Sequence, residues 1–276
     1  VGDWVGVHIS SADRATICEV LPRQSCFSRK APGDPTTQQV VAANVDSVLL
    51  VSGLDKDFNL RRIERYLVAA AESGAAPVIV LNKTDVTDHA EDAVQSVRSV
   101  APDVPIHPMS CVDRHGLDQL EAYLGPGRTI ALLGSSGVGK STIINRLLGR
   151  DQQRTKAVRA RGSRGRHTTV HRELLVRAEG GVIIDTPGMR ELQLWDTDRA
   201  LEGTFDEIEQ LAAACHFRDC QHRTEPRCAV REAAADGRLS ASRLEHYLQL
   251  HAERTVLNQR RDEQVEMAER RRTKAP

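Results

Sequence analysis

One stretch of this sequence constrains the fold more than any other: the glycine-rich run at residues 134–142. It reads Gly-Ser-Ser-Gly-Val-Gly-Lys-Ser-Thr and fits the P-loop pattern G-x-x-x-x-G-K-[ST]. The apolar run at 129–133 predicts a strand before it, and residues 143–148 predict the start of a helix after it. A glycine-rich turn that matched the pattern by chance would not be expected to lie between a strand and a helix. The pattern and its flanking segments therefore indicate a phosphate-binding unit of strand, loop and helix.

Several residue types in this loop are suited to binding the phosphates of a nucleotide. Glycine allows backbone conformations that turn successive N–H groups toward phosphate oxygens. Lys140 is expected to reach the β- and γ-phosphates, which makes it a candidate catalytic residue, and the Ser141 hydroxyl is expected to bind Mg²⁺. The predicted phosphate-binding residues are Gly134, Ser135, Ser136, Gly137, Val138, Gly139, Lys140, Ser141 and Thr142.

Length and composition limit the class of protein. A chain of 276 residues exceeds one typical domain, so two or three are expected. Lysine plus arginine and aspartate plus glutamate both number 38, so whole-chain charge predicts no partner. No apolar run approaches the roughly 20 residues that span a bilayer, and no leader pattern opens the sequence. We therefore expect a soluble, cytoplasmic protein that does not bind membranes. We also expect it to be a monomer.

The pattern of secondary structure changes near residue 40. Residues 1–38 predict two short strands and a basic, polar tail, which is too little to close a barrel. Cys18 and Cys26 have no partner at metal spacing and are expected to be ordinary cysteines. From residue 40 onward, apolar strands alternate with helical stretches, which predicts an α/β domain with a mostly parallel sheet.

A second motif indicates which base is bound. Asn82, Lys83, Thr84 and Asp85 follow the apolar strand at 78–81. An aspartate carboxylate can accept hydrogen bonds from the N1–H and exocyclic amine of guanine, a donor pair that adenine lacks on that edge. We expect Asn82 to hold the loop and the purine edge and Lys83 to cover the ring face. Two further residues after the next strand would support the guanine carbonyl through their backbone: Ser110 and Cys111.

The segment after the P-loop predicts the remaining parts of a nucleotide switch. Residues 150–172 are strongly basic, which fits either a solvated flexible loop or a contact with nucleic acid. Thr168 or Thr169 can complete Mg²⁺ coordination when a γ-phosphate is present. Asp185 ends an apolar strand, as an Mg²⁺-orienting carboxylate must, and the Gly188 N–H can contact the γ-phosphate.

The residue after Gly188 limits hydrolysis. Many GTPases place a glutamine there to position the attacking water, but this chain has Met189, which cannot orient water. His167 is the nearest polar candidate for this role, unless it is an ordinary loop histidine or a partner inserts a group. The candidate catalytic residues are His167, Lys140 and Thr169.

The motifs occur in an unusual order, with the guanine motif before the P-loop. This order resembles the circularly permuted GTPases, and the details resemble the small-ribosomal-subunit biogenesis GTPase family. The resemblance rests on Gly-Arg-His-Thr-Thr at 165–169, Asp-Thr-Pro-Gly at 185–188 and a cysteine-rich segment at 215–230. It implies an OB-fold-like segment at 1–38, of which only part is present, a permuted GTPase domain at 39–199 and a zinc domain at 200–276.

The cysteine-rich segment holds three cysteines and two histidines within fourteen positions, a set suited to a closed tetrahedral Zn²⁺ site. The resemblance places the imidazole ligand at His222 instead of His216. The predicted ligands are Cys215, Cys220, His222 and Cys228. Four protein ligands leave no position for water, so the zinc is expected to be structural.

The resemblance implies a GTP hydrolase that acts in late maturation of the 30S subunit, binds rRNA and is stimulated by the subunit. Its cofactors would be one structural Zn²⁺ and the Mg²⁺ that accompanies GTP, held by Ser141, Thr169 and Asp185. The alternative is a nucleotide-gated RNA-binding module whose hydrolysis is incidental, which Met189 favours. An ATP-dependent enzyme is disfavoured by Asp85.

Overall fold

The structure, a computed structural model, describes residues 1–31, 34–149, 173–185 and 203–273. The chain divides into two compact units. The first contains Val1–Arg29 and Val40–Leu192, and the second contains Lys30–Gln39 and Gln193–Pro276. The predicted three-domain division, including the OB-like assignment of residues 1–38, stays a prediction.

Four strands precede the main sheet and form two hairpins. Strand β1 (Val5–Ser11) pairs antiparallel with β2 (Arg14–Val20), and β3 (Cys26–Ala31) pairs with β4 (Asp34–Ala43). The first hairpin agrees with the two predicted strands. The polar tail predicted up to residue 38 is wrong, because β3 and half of β4 occupy it. Its composition did not signal strands, since hairpin pairing satisfies backbone groups whatever the side chains are.

The first unit is built on a sheet of six described strands. They are β5 (Ser47–Gly53), β6 (Ala76–Asn82), β7 (Ile106–Met109), β8 (Thr129–Leu133), β9 (Glu173–Val176) and β10 (Val182–Asp185). Their order across the sheet is β7-β6-β5-β8-β10-β9. Neighbouring strands are parallel, except that β9 runs antiparallel to β10. The predicted mostly parallel α/β sheet is therefore confirmed.

Helices cover this sheet and explain its apolar strands. They are α1 (Leu60–Ser73), α2 (Ala90–Arg98) and α3 (Lys140–Leu147), with short 3-10 helices at Thr84–Val86 and Asp118–Tyr123. Helix α1 contacts β5 and β6, and α2 contacts β7. Strand β5 is buried on both of its faces. Leu49 on one face packs in a core cluster with Ile143 of α3, and Leu50 on the other face is also buried. Because the strands are parallel, the carboxyl ends of β5, β6, β7, β8 and β10 meet at one edge, where open α/β sheets bind ligands.

The second unit has three described helices, α4 (Asp206–Ala212), α5 (Ala229–Ala235) and α6 (Ala241–Thr273). Phe205, Val230 and Leu250 are completely buried in it. Helix α6 runs to Thr273. Leu244 and Leu250 of α6 are buried, whereas Val256 is 45% exposed, because α6 has left the core by that point. Within the described ranges, no helix is both long and apolar enough to cross a membrane.

Candidate functional site

The predicted P-loop joins β8 to α3 in the expected strand–loop–helix order. Gly139 has a φ of 104°, and a Cβ at this position would lie 2.3 Å from the Asn82 Nδ2 atom. A Cβ at Gly134 would lie 2.3 Å from the carbonyl oxygen of Val51. Both contacts are shorter than real Cβ atoms tolerate, so the glycines are required for the close approach of the loop to its neighbours.

Lys140 is the first residue of α3 and folds back over the loop. Its Nζ donates hydrogen bonds of 2.6 Å to the carbonyl oxygens of Gly134 and Ser135. The ammonium is thereby held against the loop, beside the N-terminal N–H groups of α3. Both carry positive charge, which suits the binding of phosphate.

The Asn82 side chain ties the P-loop to the loop after β7. It ends β6 and is only 2% exposed. Its Nδ2 donates to the carbonyl of Val138 in the P-loop at 2.8 Å, and its Oδ1 accepts from the Cys111 N–H at 3.3 Å. One amide therefore fixes the P-loop and the predicted guanine-supporting loop to the strand that carries the guanine motif.

The Asp85 carboxylate is oriented by a residue that sequence reasoning assigned only a backbone role. The buried Ser110 hydroxyl donates to Asp85 Oδ1 at 2.7 Å and accepts from the Asp113 N–H at 3.1 Å. Asp85 itself is exposed at the carboxyl edge of the sheet. Cys111 follows Ser110, and burial raises the pKa of its thiol to about 11, so it is neutral and contributes through its backbone.

Lys83 has a partner that the sequence analysis missed. Its Nζ donates to Asp55 Oδ2 at 2.6 Å, and its backbone is left-handed with a φ of 69°. Burial of Asp55 raises its pKa, but hydrogen bonds from Lys83 and from the Asp57 N–H outweigh that effect and hold it below its ordinary value. The missed signal was a pair of aspartates just beyond a strand that ends at the ligand-binding edge.

The candidate Mg²⁺ ligands lie partly within the described residues. Asp185 ends β10, whose Ile184 pairs with Ala131 of β8, so the carboxylate and the P-loop share one edge of the sheet. Ser141 lies in the first turn of α3. A hydroxyl and a carboxylate are hard oxygen donors that fit Mg²⁺. The other predicted switch residues fall outside the described residues: His167, Thr168, Thr169, Gly188 and Met189.

The second unit brings the four predicted zinc ligands together. One ligand atom from each of Cys215, Cys220, His222 and Cys228 lies within 4.8 Å of the others. The Sγ atoms of Cys215 and Cys228 are 3.8 Å apart, and the His222 Nδ1 atom lies 3.6 Å from the first and 3.3 Å from the second. Sulfur and nitrogen ligands at the corners of a tetrahedron around Zn²⁺ stand about 3.3–3.8 Å apart. The cluster therefore fits a closed zinc site.

Neighbouring residues hold this cluster in shape. Burial lowers the pKa of His222, which keeps the imidazole in the neutral form that ligates metals. The Glu225 carboxylate accepts backbone N–H bonds from three residues around His222: Gln221, Arg223 and Thr224. Backbone hydrogen bonds, first from its own N–H, hold the pKa of Glu225 at about 2. The carboxylate is thus ionised, and it organises the turn that presents His222.

Gly139→Ala is expected to weaken nucleotide binding by at least about tenfold, because the new methyl group would strike Asn82 at a left-handed backbone position. Binding can be measured by titration with a fluorescent guanine nucleotide. Gly125→Ala is the matched control, since a Cβ there meets nothing within 4 Å. Equal affinity in the two variants would show that the close approach of loop and amide is unimportant.

Cys228→Ser is expected to lose the bound zinc and to lower the melting temperature, because a structural metal stabilises only the folded state. Metal content by elemental analysis should fall from about one zinc per chain to near zero. Cys18→Ser, an exposed cysteine outside the cluster, should keep the metal. Wild-type protein that folds fully without any metal would contradict the zinc assignment.

Comparison with known proteins identifies relatives of one family. The model of the RsgA GTPase family matches residues 20–195, more than half of the chain. The chain is 48% identical to the small ribosomal subunit biogenesis GTPase RsgA of Opitutus terrae, covering 99% of this chain and 77% of that protein. It is 47% identical to the protein of the same name from Methanosarcina acetivorans, covering 91% of this chain and 68% of the relative.

Solved structures show the same fold. YjeQ from Thermotoga maritima has a TM-score of 0.65 at 29% identity, covering 92% of this chain and 83% of that one. YloQ, described as a circularly permuted GTPase, has a TM-score of 0.64 at 25% identity, covering 92% of this chain and 79% of that one. Together with the sequence matches, these structures establish that the chain belongs to the RsgA GTPase family.

Proposed function

We propose that this protein is a GTP hydrolase of small ribosomal subunit maturation that binds rRNA and is stimulated by the subunit. The observation that carries the proposal is the hydrogen bonding of Asn82, which connects the guanine motif directly to the P-loop. The names of the Opitutus and Methanosarcina relatives support the ribosomal role. Such a role places the protein in the cytoplasm, and we expect it to act as a monomer.

The base-binding half of the site selects guanine. Asp85 accepts hydrogen bonds from the guanine N1–H and amine, and the Ser110 hydroxyl keeps its carboxylate in place. Adenine would leave this carboxylate without donors, at the cost of an unpaired polar group. The Lys83 stem covers the ring, and Thr84 belongs to the same binding motif. GTP and GDP share this half of the site, so both are bound.

The phosphate-binding half uses the P-loop backbone, Lys140 and the start of α3. Their positive charges oppose the charge of the phosphate chain and stabilise the charge that shifts during hydrolysis. Bound Mg²⁺ would supply further positive charge beside the phosphates. Ser141 and Asp185 would hold it, together with Thr169 or its neighbour Thr168. The Gly188 N–H would contact the γ-phosphate.

Positioning of the attacking water is the weak point of the isolated protein. Met189 has no group that can orient water, so intrinsic turnover should be slow. His167 would orient the water in cis, or a group of the ribosomal subunit would do so in trans. The basic segment at 150–172, which contains His167, would meet rRNA phosphates through charge attraction.

The test compares GTP turnover with and without 30S subunits at several salt concentrations. We expect the subunit to raise turnover by about tenfold or more, as partners that complete a GTPase site do. Lys140→Ala should remove the stimulated activity. Turnover unaffected by the subunit at every salt concentration would contradict this proposal. If Lys140→Ala still supports subunit maturation, the nucleotide-gated RNA-binding module is favoured instead.

A further inference from the structure

The loop of residues 54–59, which we call the linking loop, connects β5 to α1 and carries no part of the nucleotide motifs. It starts at the carboxyl end of β5, the strand that lies between β6 and β8 in the sheet. Strand β6 delivers the guanine motif and β8 delivers the P-loop. The linking loop therefore lies between the two halves of the nucleotide site, and it holds two aspartates with different partners, Asp55 and Asp57.

Asp55 holds Lys83 of the guanine motif. Its Oδ2 accepts from Lys83 Nζ at 2.6 Å, while its Oδ1 accepts from the Asp57 N–H at 3.0 Å, so both carboxylate oxygens are engaged. A Cβ at Gly53 would lie 3.4 Å from Lys83 Cδ and 3.1 Å from Asp55 Oδ1. The Lys83 stem thus passes close over Gly53 toward Asp55. The Leu54 N–H also donates to the Asn82 carbonyl at 2.8 Å, which fixes the loop to the start of the motif.

Asp57 holds Ser135 of the P-loop, with Arg62 as the third member. The Ser135 hydroxyl donates to Asp57 Oδ2. Arg62 Nη1 donates to Asp57 Oδ2 at 2.7 Å and to the Ser135 hydroxyl oxygen at 2.8 Å. Arg62 lies in the first turn of α1, where its own N–H is capped by the Asn59 side chain at 3.0 Å. Ser135 in turn supplies one of the two carbonyls that hold Lys140, so this triangle also sets the position of the lysine.

These contacts have little to do with the stability of the fold. Side chains of Asp55, Asp57 and Arg62 are each about one-third exposed, and ion pairs at such positions contribute little to folding. Their partners are instead residues to which the proposed function assigns contacts with the base and the phosphates. Two carboxylates from one short loop therefore fix one residue in each half of the nucleotide site.

We propose that the linking loop and Arg62 are a positioning device that sets the geometry of both subsites: Asp55 positions Lys83 against the guanine ring, and Asp57 with Arg62 positions Ser135 and Lys140 against the phosphates. The inference rests on the proposed GTP function and deepens it. None of these three residues is required to touch the nucleotide. They act through the residues that do.

The two aspartates should have different signatures in nucleotide affinity. Asp55→Ala should lower the affinities for GTP, GDP and GMP by a common factor of about three to ten, because all three nucleotides share the base. Asp57→Ala should lower the affinities for GTP and GDP by a similar factor, because Lys140 acts on the outer phosphates. The affinity for GMP should stay within about twofold of the wild-type value. Competition of each nucleotide against fluorescent GDP measures these affinities in the 276-residue chain.

A double-mutant cycle tests whether Asp57 acts through Ser135. Ser135→Ala removes the hydroxyl that Asp57 holds, so it should reproduce the Asp57→Ala pattern, and the double variant should lose little more than either single variant. Fully multiplicative losses would contradict the assignment of Asp57 to Ser135. Asp103→Ala is the matched control, an exposed aspartate in the turn before β7 at the opposite edge of the sheet.

The outcomes separate this inference from the proposed function. Suppose that the wild-type chain binds GTP. If Asp55→Ala and Asp57→Ala then bind all three nucleotides with the same affinity as Asp103→Ala, the linking loop has no positioning role. A third outcome is that both variants lose affinity for all three nucleotides by the same factor and that their melting temperatures fall by the same amount. This outcome would show a purely structural role of the loop. A wild-type chain that binds no guanine nucleotide would overturn the proposed function as well.

Discussion

The nucleotide site depends on one buried amide. Asn82 reaches from the end of β6 to the P-loop carbonyl of Val138 and to the Cys111 N–H. A buried amide that lost these partners would leave unpaired donors and acceptors, which is costly where water is excluded. The close approach also explains why residue 139 must be glycine, since any side chain there would occupy the position of the Asn82 nitrogen. The proposed guanine motif and the P-loop are thereby held at one spacing.

The parallel sheet makes this arrangement independent of the order of motifs along the chain. The guanine motif precedes the P-loop in sequence, yet the two lie at the ends of β6 and β8, with only β5 between them. What the site requires is that parallel strands end at the same edge, and any connectivity that keeps this sheet order satisfies that requirement. A permuted chain can therefore build the same site. The strand between the two motifs then becomes the natural place for residues that couple them, such as Asp55 and Asp57.

The sequence was sufficient wherever a local pattern determines the structure. The P-loop, the guanine motif and the apolar strands were predicted because glycine spacing and runs of buried residues are local signals. Helix α1 is bounded by local features of the same kind, since Asn59 caps its start and Gly74 follows its end in a left-handed conformation. The zinc ligands converge as predicted, although the choice of His222 over His216 came from family resemblance.

Features that depend on tertiary contacts could not be predicted in the same way. Strands β3 and β4 gain their backbone hydrogen bonds from each other, which a polar composition does not reveal. Leu244 is buried and Val256 is exposed on the same helix, because a helical pattern alone does not show where the core ends. The partners of Lys83 and Ser135 come from 28 and 78 residues away, so no local pattern connects them.

In the proposed function, Asp85, oriented by Ser110 and joined to the P-loop through Asn82, makes this a guanine nucleotide site. The most direct test measures the affinities of wild type and Asp85→Asn for GTP and for xanthosine triphosphate, whose base presents a carbonyl where guanine has its amine. We expect the wild type to prefer GTP and Asp85→Asn to shift the preference toward the xanthine nucleotide. An unchanged preference for GTP in the variant would contradict this assignment.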